Sequence, residues 1–460
     1  MARDMTEGSV LKTILTFATP ILIGQILQMT YNLVDSIIVG RFIGEMQLAS
    51  VAATYTTVTL FNALITGFTI GTSVIIAQFF GAKKFDDLRK TFSTTYICIL
   101  LAGILMAGVV FVAARPLLLH VLDTPLSILD DAVLYLRVYY SGALFVFMYN
   151  LLADSLRAMG DSLRPLWFLF ISCVINIVLD LLFVVVFHWG VAGAAFATIL
   201  AQAFACLAAL LYVRRHYTIM WFKLREIKFH RHYFGLAIKL GIPEAFQKVV
   251  MSVCFMWQQR LVNSFGPVTI AAFLAGQRVD QLLGMPIIVL GSAIAPFTGQ
   301  NIGAGKMDRI FEGRKRLFTM SFLVCLVCAP ILILIGRPLL SLFVADAQSE
   351  VITQAYQYLL CIVPFFFFQV FNSVTSGVMR GAGDVKYTTF LSFTSLFARI
   401  GAAYFMVYVL KMGYIGIWLS TGVGFAICVL PNFLRFRSRR WMTKAIVRPA
   451  PLQTETEKTA

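Results

Sequence analysis

Twelve apolar runs follow one another along this chain, and that succession leaves few ways to fold. They cover about 12–40, 50–79, 91–114, 130–156, 164–187, 190–213, 234–263, 269–299, 316–336, 350–379, 386–410 and 413–435. A helix needs about 20 apolar residues to cross a bilayer core. The runs are apolar all round and do not alternate with period two, so they read as helices and not as barrel strands. Several exceed 25 residues, which suggests tilt or extension past the headgroups. Only 13% of the 460 residues are charged, against about 25% in soluble proteins. The expected fold class is an all-α integral membrane protein of twelve transmembrane helices. The first run is too long for the apolar region of a cleavable signal peptide, and no small-residue cleavage site ends it.

Basic residues check the count. Alternate connections, from Arg3 and Lys12 to the stretch Arg435–Lys458, carry 29 Lys and Arg; the others carry only Arg41, Arg115, Arg337 and Lys411. By the positive-inside rule the first set is cytoplasmic, with both termini inside and the chain multi-pass in the cell membrane. The net charge of +16 therefore needs no nucleic acid. The loop 214–239 and the run Arg435 to Arg440 suit anionic membrane lipids, at about 1 kcal/mol per basic side chain. The stretch 449–460 is polar and expected to be disordered. All eight cysteines lie in apolar runs; Cys325 and Cys328, spaced C-x-x-C with no histidine near, read as small packing residues.

The chain repeats itself. Thr19-Pro20 matches Ile242-Pro243, Gly81-Ala82-Lys83-Lys84 matches Gly303-Ala304-Gly305-Lys306, and Arg115-Pro116 matches Arg337-Pro338. Arg157…Gly160-Asp161 matches Arg380…Gly383-Asp384, and Gly190…Gly193 matches Gly413…Gly416. Every offset is 222 or 223 residues. Six spans separate the copies, so the halves share one orientation and form two six-helix bundles about an axis along the membrane normal. The expected organisation is a first lobe at 1–213, a cytoplasmic linker at 214–233, a second lobe at 234–437 and a basic then polar tail at 438–460.

Duplication also shows where the halves diverge. Asp35 has Gln258 as its twin, Asn176 has Arg399 and Asp180 has Ala403, while Thr198 and Thr421 agree. Gln28, Tyr31 and Asp35 share one face of the first span, and Asn176 and Asp180 one face of the fifth. An acid inside a span costs about 2.5–3.5 kcal/mol on insertion scales. Two of them, with an amide and the Thr198 hydroxyl, point to a shared wet pocket near mid-depth. Two carboxylates buried together resist joint ionisation, so the pair would hold a proton near neutral pH and titrate as a unit. All-oxygen ligation also suits a small hard cation. The plainer alternative is that both acids hydrogen-bond their neighbours and hold the bundle together.

Other intramembrane features carry less. Arg399 and Asp280 read as a structural ion pair, with substrate contact as the alternative. Glu244 lies near an interface. Pro20, inside the first span, frees a carbonyl and gives a helix bend. The run Pro364 to Phe368 reads as packing, or as the wall of a cavity. The glycines from Gly299 to Gly303 precede no phosphate-binding lysine pattern. His120, His188, His216, His230 and His232 lie in connections or at span ends. The reading is a transporter and not an enzyme.

Several of these residues together resemble the multidrug and toxic compound extrusion (MATE) family, over about residues 10–440. They are Tyr31 to Arg41 (YNLVDSIIVGR), Gly299-Gln300-Asn301-Ile302-Gly303-Ala304, the duplicated Arg157…Asp161 and Arg380…Asp384, and Arg399 to Tyr404. The chain is most similar to the bacterial DinF-like and MepA-like members. The resemblance implies a V-shaped pair of lobes, no cofactor, and a monomer that exports drugs or toxins, often organic cations, in exchange for H+ or Na+. It implies a cation-coupling site at Asp35, Asn176, Asp180 and Thr198, beside a substrate cavity with Gln28, Tyr31, Tyr135 and Asn150. The NorM-like branch carries acids where this chain has about Met251 and Gln369, so a second-lobe cation site of that kind is not expected; the family motif around Arg399 often has a proline where this chain has Gly401. The rival from the same superfamily is a lipid-linked oligosaccharide flippase. It would need a strongly basic cavity, for which only Arg260, Arg278 and Arg399 offer themselves.

Overall fold

The computed structural model describes residues 4–221, 227–341 and 350–447. The stretch 449–460 lies outside the described residues. Fifteen α-helices account for the twelve apolar runs: α1 (Val10–Phe42), α2 (Glu45–Gly81), α3 (Phe85–Pro116), α4 (Leu126–Ser141), α5 (Ala143–Ala158), α6 (Leu163–Asp180), α7 (Gly190–His216), α8 (Arg231–Asn263), α9 (Pro267–Gly303), α10 (Met307–Leu340), α11 (Glu350–Ile362), α12 (Phe366–Gly381), α13 (Val385–Tyr404), α14 (Tyr414–Ile427) and α15 (Val429–Arg437). No strand occurs among the described residues.

Three runs are broken helices. α4 and α5 bend by 51° at Gly142, which packs tightly on Ile199 of α7. Pro364 sits in the 3-10 turn Val363–Phe365 between α11 and α12. α14 and α15 meet at Cys428. Among the described residues ten stretches are long and apolar enough to cross a membrane, and the bent pair makes eleven. α8 does not join them on apolarity, although it has 33 residues. Lys239, Glu244, Gln247, Lys248, Gln258, Gln259 and Arg260 interrupt it.

The repeat extends to irregular backbone. A π-helical turn ends α6 at Leu181–Val186 and another ends α13 at Phe405–Val409. Lys83 adopts φ 55°, and its twin position holds Gly305 at φ 72°.

The chain divides into two compact units, but not at the 214–233 linker. One unit is built from Thr19–Ala245, and the other joins Met5–Ala18 to the chain from Phe246 onward. Close contact explains both boundaries. In the first unit, a Cβ on Gly71 would come within 2.6 Å of the Gly241 nitrogen, and one on Gly67 within 2.5 Å of the Ala245 nitrogen. The start of α8 is therefore locked to α2, backbone against backbone. In the second unit, the Met5 N–H donates to Gln300 Oε1 at 2.9 Å and Lys306 Nζ to the Thr6 carbonyl at 2.9 Å. Arg309 adds bonds to the carbonyls of Met5, Glu7 and Gly8. α1 runs on as one helix through Pro20, which withholds a hydrogen bond from the Thr16 carbonyl.

Candidate functional site

Apolar packing brings the two acids together. Ile38 and Val39 of α1 are buried against Val184 and Ala194. Asp35 lies one turn before Ile38 and Val39, and Asp180 one turn before Val184, so the contact that seals the apolar faces also sets the acids opposite each other. Gly24, two turns before Tyr31, lies against Leu166 and Leu169 of α6 and holds the same pair of helices together. Asp180 is the last residue of α6 before its π-helical turn, a distortion often found at functional sites.

The carboxyl groups of Asp35 and Asp180 lie within hydrogen-bond reach of each other. Asp180 and Asn176 are fully buried, whereas Asp35 lines an open cavity of about 550 Å³. Asp35 is its one charged lining residue; the rest are amides, hydroxyls, phenols and aliphatic side chains. Asn176 Nδ2 reaches Thr198 Oγ1 at 3.5 Å, and Thr198 donates to the Ala194 carbonyl at 3.1 Å. Tyr31 and Thr198 line the same cavity. Tyr135 stacks on Tyr139 with ring centroids 6.1 Å apart and forms part of the wall.

Among the described residues no donor meets Asp35 Oδ1, Asn176 Oδ1 or either carboxyl oxygen of Asp180. Buried acceptors without donors cost about 1–3 kcal/mol each, and more when charged. A proton between the carboxyls turns two mutually repelling acceptors into a hydrogen bond. A small cation bound by the same oxygens would satisfy them too.

The MatE family model matches residues 20–182 and 243–405. This chain belongs to the MatE family. Both ends of the two MatE matches are offset by 223 residues, 20 to 243 and 182 to 405, the spacing of the repeat. The chain is 33% identical to a probable multidrug resistance protein, YpnP, of Bacillus subtilis, over 96% of this chain and 98% of that protein. It is 23% identical to the multidrug export protein MepA of Staphylococcus haemolyticus, over 75% and 76%. A solved MATE family transporter in an outward-facing conformation superposes with a TM-score of 0.87 at 24% identity, covering 95% of this chain and 97% of that one. The MatE protein is a multi-pass membrane transporter and not an enzyme.

Of the expected MatE site residues, the structure groups Gln28, Tyr31, Asp35, Tyr135, Asn176, Asp180 and Thr198 around one cavity and its buried floor. Asn150, on α5, is not among the lining residues; the resemblance had placed it there without a same-face argument. Asn62 and Gln202 line the cavity and were missed. Spacing could have found both: Gln202 lies one turn after Thr198 on α7, and Asn62 shares a face of α2 with Tyr55 and Thr59. Arg399 and Asp280 feel each other's charge but are not among the ion pairs within 4.0 Å that the described residues form. Asp280 accepts instead from the Tyr358 hydroxyl at 3.3 Å, and the Arg399 guanidinium lies 5.5 Å from the Phe255 ring centroid. Glu244 is buried. Within the aromatic run, Phe367 packs on Phe322 of α10 at 4.8 Å.

Proposed function

We propose that this MatE transporter is a secondary multidrug antiporter. It exports organic, often cationic, compounds in exchange for H+ bound at the Asp35–Asp180 pair. The observation that carries this reading is the acid pair at the floor of a cavity whose one charged lining residue is Asp35. A cationic drug in that cavity would face a carboxylate and aromatic walls. A proton taken up from outside removes the negative charge and weakens the hold on the drug; its loss to the cytoplasm restores it. Coupling requires this antagonism, since ion and drug must each lower the other's affinity. Asn176 and Thr198 stand beside the acids as further polar groups of the coupling site, and Pro20 supplies the yielding point in α1. The protein works in the cell membrane as a monomer, with both termini cytoplasmic.

Na+ is the second reading, favoured by the four donorless oxygens around Asp180. The flippase reading has less support: a lipid pyrophosphate needs a basic cavity, and this one has no basic lining residue.

The test is ethidium efflux from vesicles holding the full-length protein, with a proton or a sodium gradient imposed one at a time. Efflux driven by the proton gradient alone is expected; efflux driven only by sodium replaces H+ with Na+. Undiminished efflux from a well-folded Asp35→Asn/Asp180→Asn double variant would end the acid-pair reading for either ion.

A further inference from the structure

We propose that the second unit holds a phosphate-binding pocket centred on Arg380. The repeat makes the argument. Arg157, in the last turn of α5, gives Nη1 to Asp154 Oδ1 at 2.8 Å, and Asp154 also accepts from Thr69 at 2.7 Å. Arg380 occupies the matching turn of α12. Where Asp154 stands one turn earlier, the second half has Gly377. No acid fits there, because a Cβ on Gly377 would come within 2.2 Å of the Gly291 carbonyl oxygen. Arg380 is thus left without its carboxylate. Among the described residues it makes no side-chain hydrogen bond or ion pair, and its Nε is buried without a partner.

A cavity of about 290 Å³ opens at the same place, bounded by α8, α9, α12, α13, α14 and α15. Its lining is mostly amide and hydroxyl, with Arg380 as the one charged group. Some of the polar wall is already engaged. Asn432 Nδ2 donates to Asn372 Oδ1 at 2.8 Å, and Ser376 to Asn432 Oδ1 at 3.4 Å. These bonds hold the wall rigid. What stays free is the guanidinium and the side-chain amides of Gln247 and Gln369, which no hydrogen bond among the described residues uses. A planar fork of N–H donors beside amide N–H groups matches the oxygens of a phosphate. The volume is at the small end for ligand pockets, which run to about 300–1,000 Å³, and holds a head group rather than a whole amphiphile. The ligand is a phosphate oxyanion, either free or as the phosphodiester of an anionic phospholipid. The site is independent of the Asp35 cavity and of which ion drives transport.

The test uses full-length protein in phosphatidylcholine nanodiscs. One arm titrates inorganic phosphate by calorimetry. The other counts bound phosphatidylglycerol by native mass spectrometry. Wild type is expected to bind at least one probe, with Arg380→Gln weakening it at least tenfold. Arg115→Gln, at an exposed arginine, is expected to leave binding unchanged. Ser376→Asp, which places an acid one turn before Arg380, is expected to weaken binding as much while keeping the arginine, and it decides the matter if Arg380→Gln fails to fold. Phosphate binding identifies a soluble oxyanion, and phosphatidylglycerol alone identifies a lipid head group. Wild type binding neither probe, or both variants binding like wild type, overturns the proposal.

Discussion

At the scale of single residues, the sharpest feature is a buried carboxylate with nothing to accept from. Asp180 has two oxygens and no donor among the described residues. Asp180→Asn keeps the shape and adds an N–H that can donate to Asp35. It is expected to stabilise the protein by about 1–3 kcal/mol, the cost of an unmet buried acceptor, read as a higher melting temperature in detergent. The same variant is expected to cut drug efflux at least tenfold. An active but unstabilised Asp180→Asn would mean the acid is merely structural. Tyr217 offers a contrast outside the membrane. Its hydroxyl donates to Asp161 at 2.7 Å, and burial first, then that carboxylate, push its phenol well above its ordinary 10.0. The folded protein thus keeps a proton that the unfolded chain releases. The resulting stability is full below pH 10 and lost as pH rises beyond it. Tyr217→Phe is expected to cost about 1.5–3 kcal/mol at neutral pH, as a hydrogen bond to a charged group, and to flatten the alkaline loss in a melting-temperature profile.

At the scale of helices and turns, the two halves serve as controls for each other. Lys83 holds a left-handed backbone in a turn where the second half uses Gly305. Lys83→Gly is expected to gain up to about 1–2 kcal/mol by relieving that strain. Helix packing gives a matched pair. Gly71→Ala must push α2 away from Gly241 and is expected to cost about 1–3 kcal/mol through overpacking. Gly235 lies on α8 with nothing within 4 Å of an added Cβ, so Gly235→Ala is expected to stabilise by about 0.5–1 kcal/mol. Opposite signs in thermal melts would support the α2–α8 contact as the tight one. Equal signs would argue against it.

At the scale of the whole molecule, each compact unit takes the opening segment of the other half of the repeat. The two attachments use different chemistry. In the second unit Arg309 gathers the carbonyls of Met5, Glu7 and Gly8 at 2.9–3.3 Å. In the first, the Tyr233 hydroxyl donates to Asp87 at 2.6 Å and the Lys228 N–H to Ser93 at 3.2 Å. Asp87 is the twin of Arg309. Arg309→Ala is therefore expected to loosen residues 5–9, seen as faster amide exchange confined to that segment and the start of α10, with exchange near Asp87 unchanged.

The sequence by itself determined the helices, their order, the duplication and the acids worth following. Those depend on local quantities: run length, charge placement and the identity of residues at a fixed offset. Asp35 and Asp180 stood out because an acid in an apolar run is costly wherever the chain goes. Tertiary structure alone decided what meets what. Asn62 and Gln202 joined the cavity, Asn150 stayed off its lining, and Asp280 bonded Tyr358 in place of Arg399. The unit boundary moved into α8 because glycines let the α2 and α8 backbones touch, and into α1 because Gln300, Lys306 and Arg309 hold the segment before it. Such outcomes turn on shape complementarity between distant segments, and no single segment encodes them.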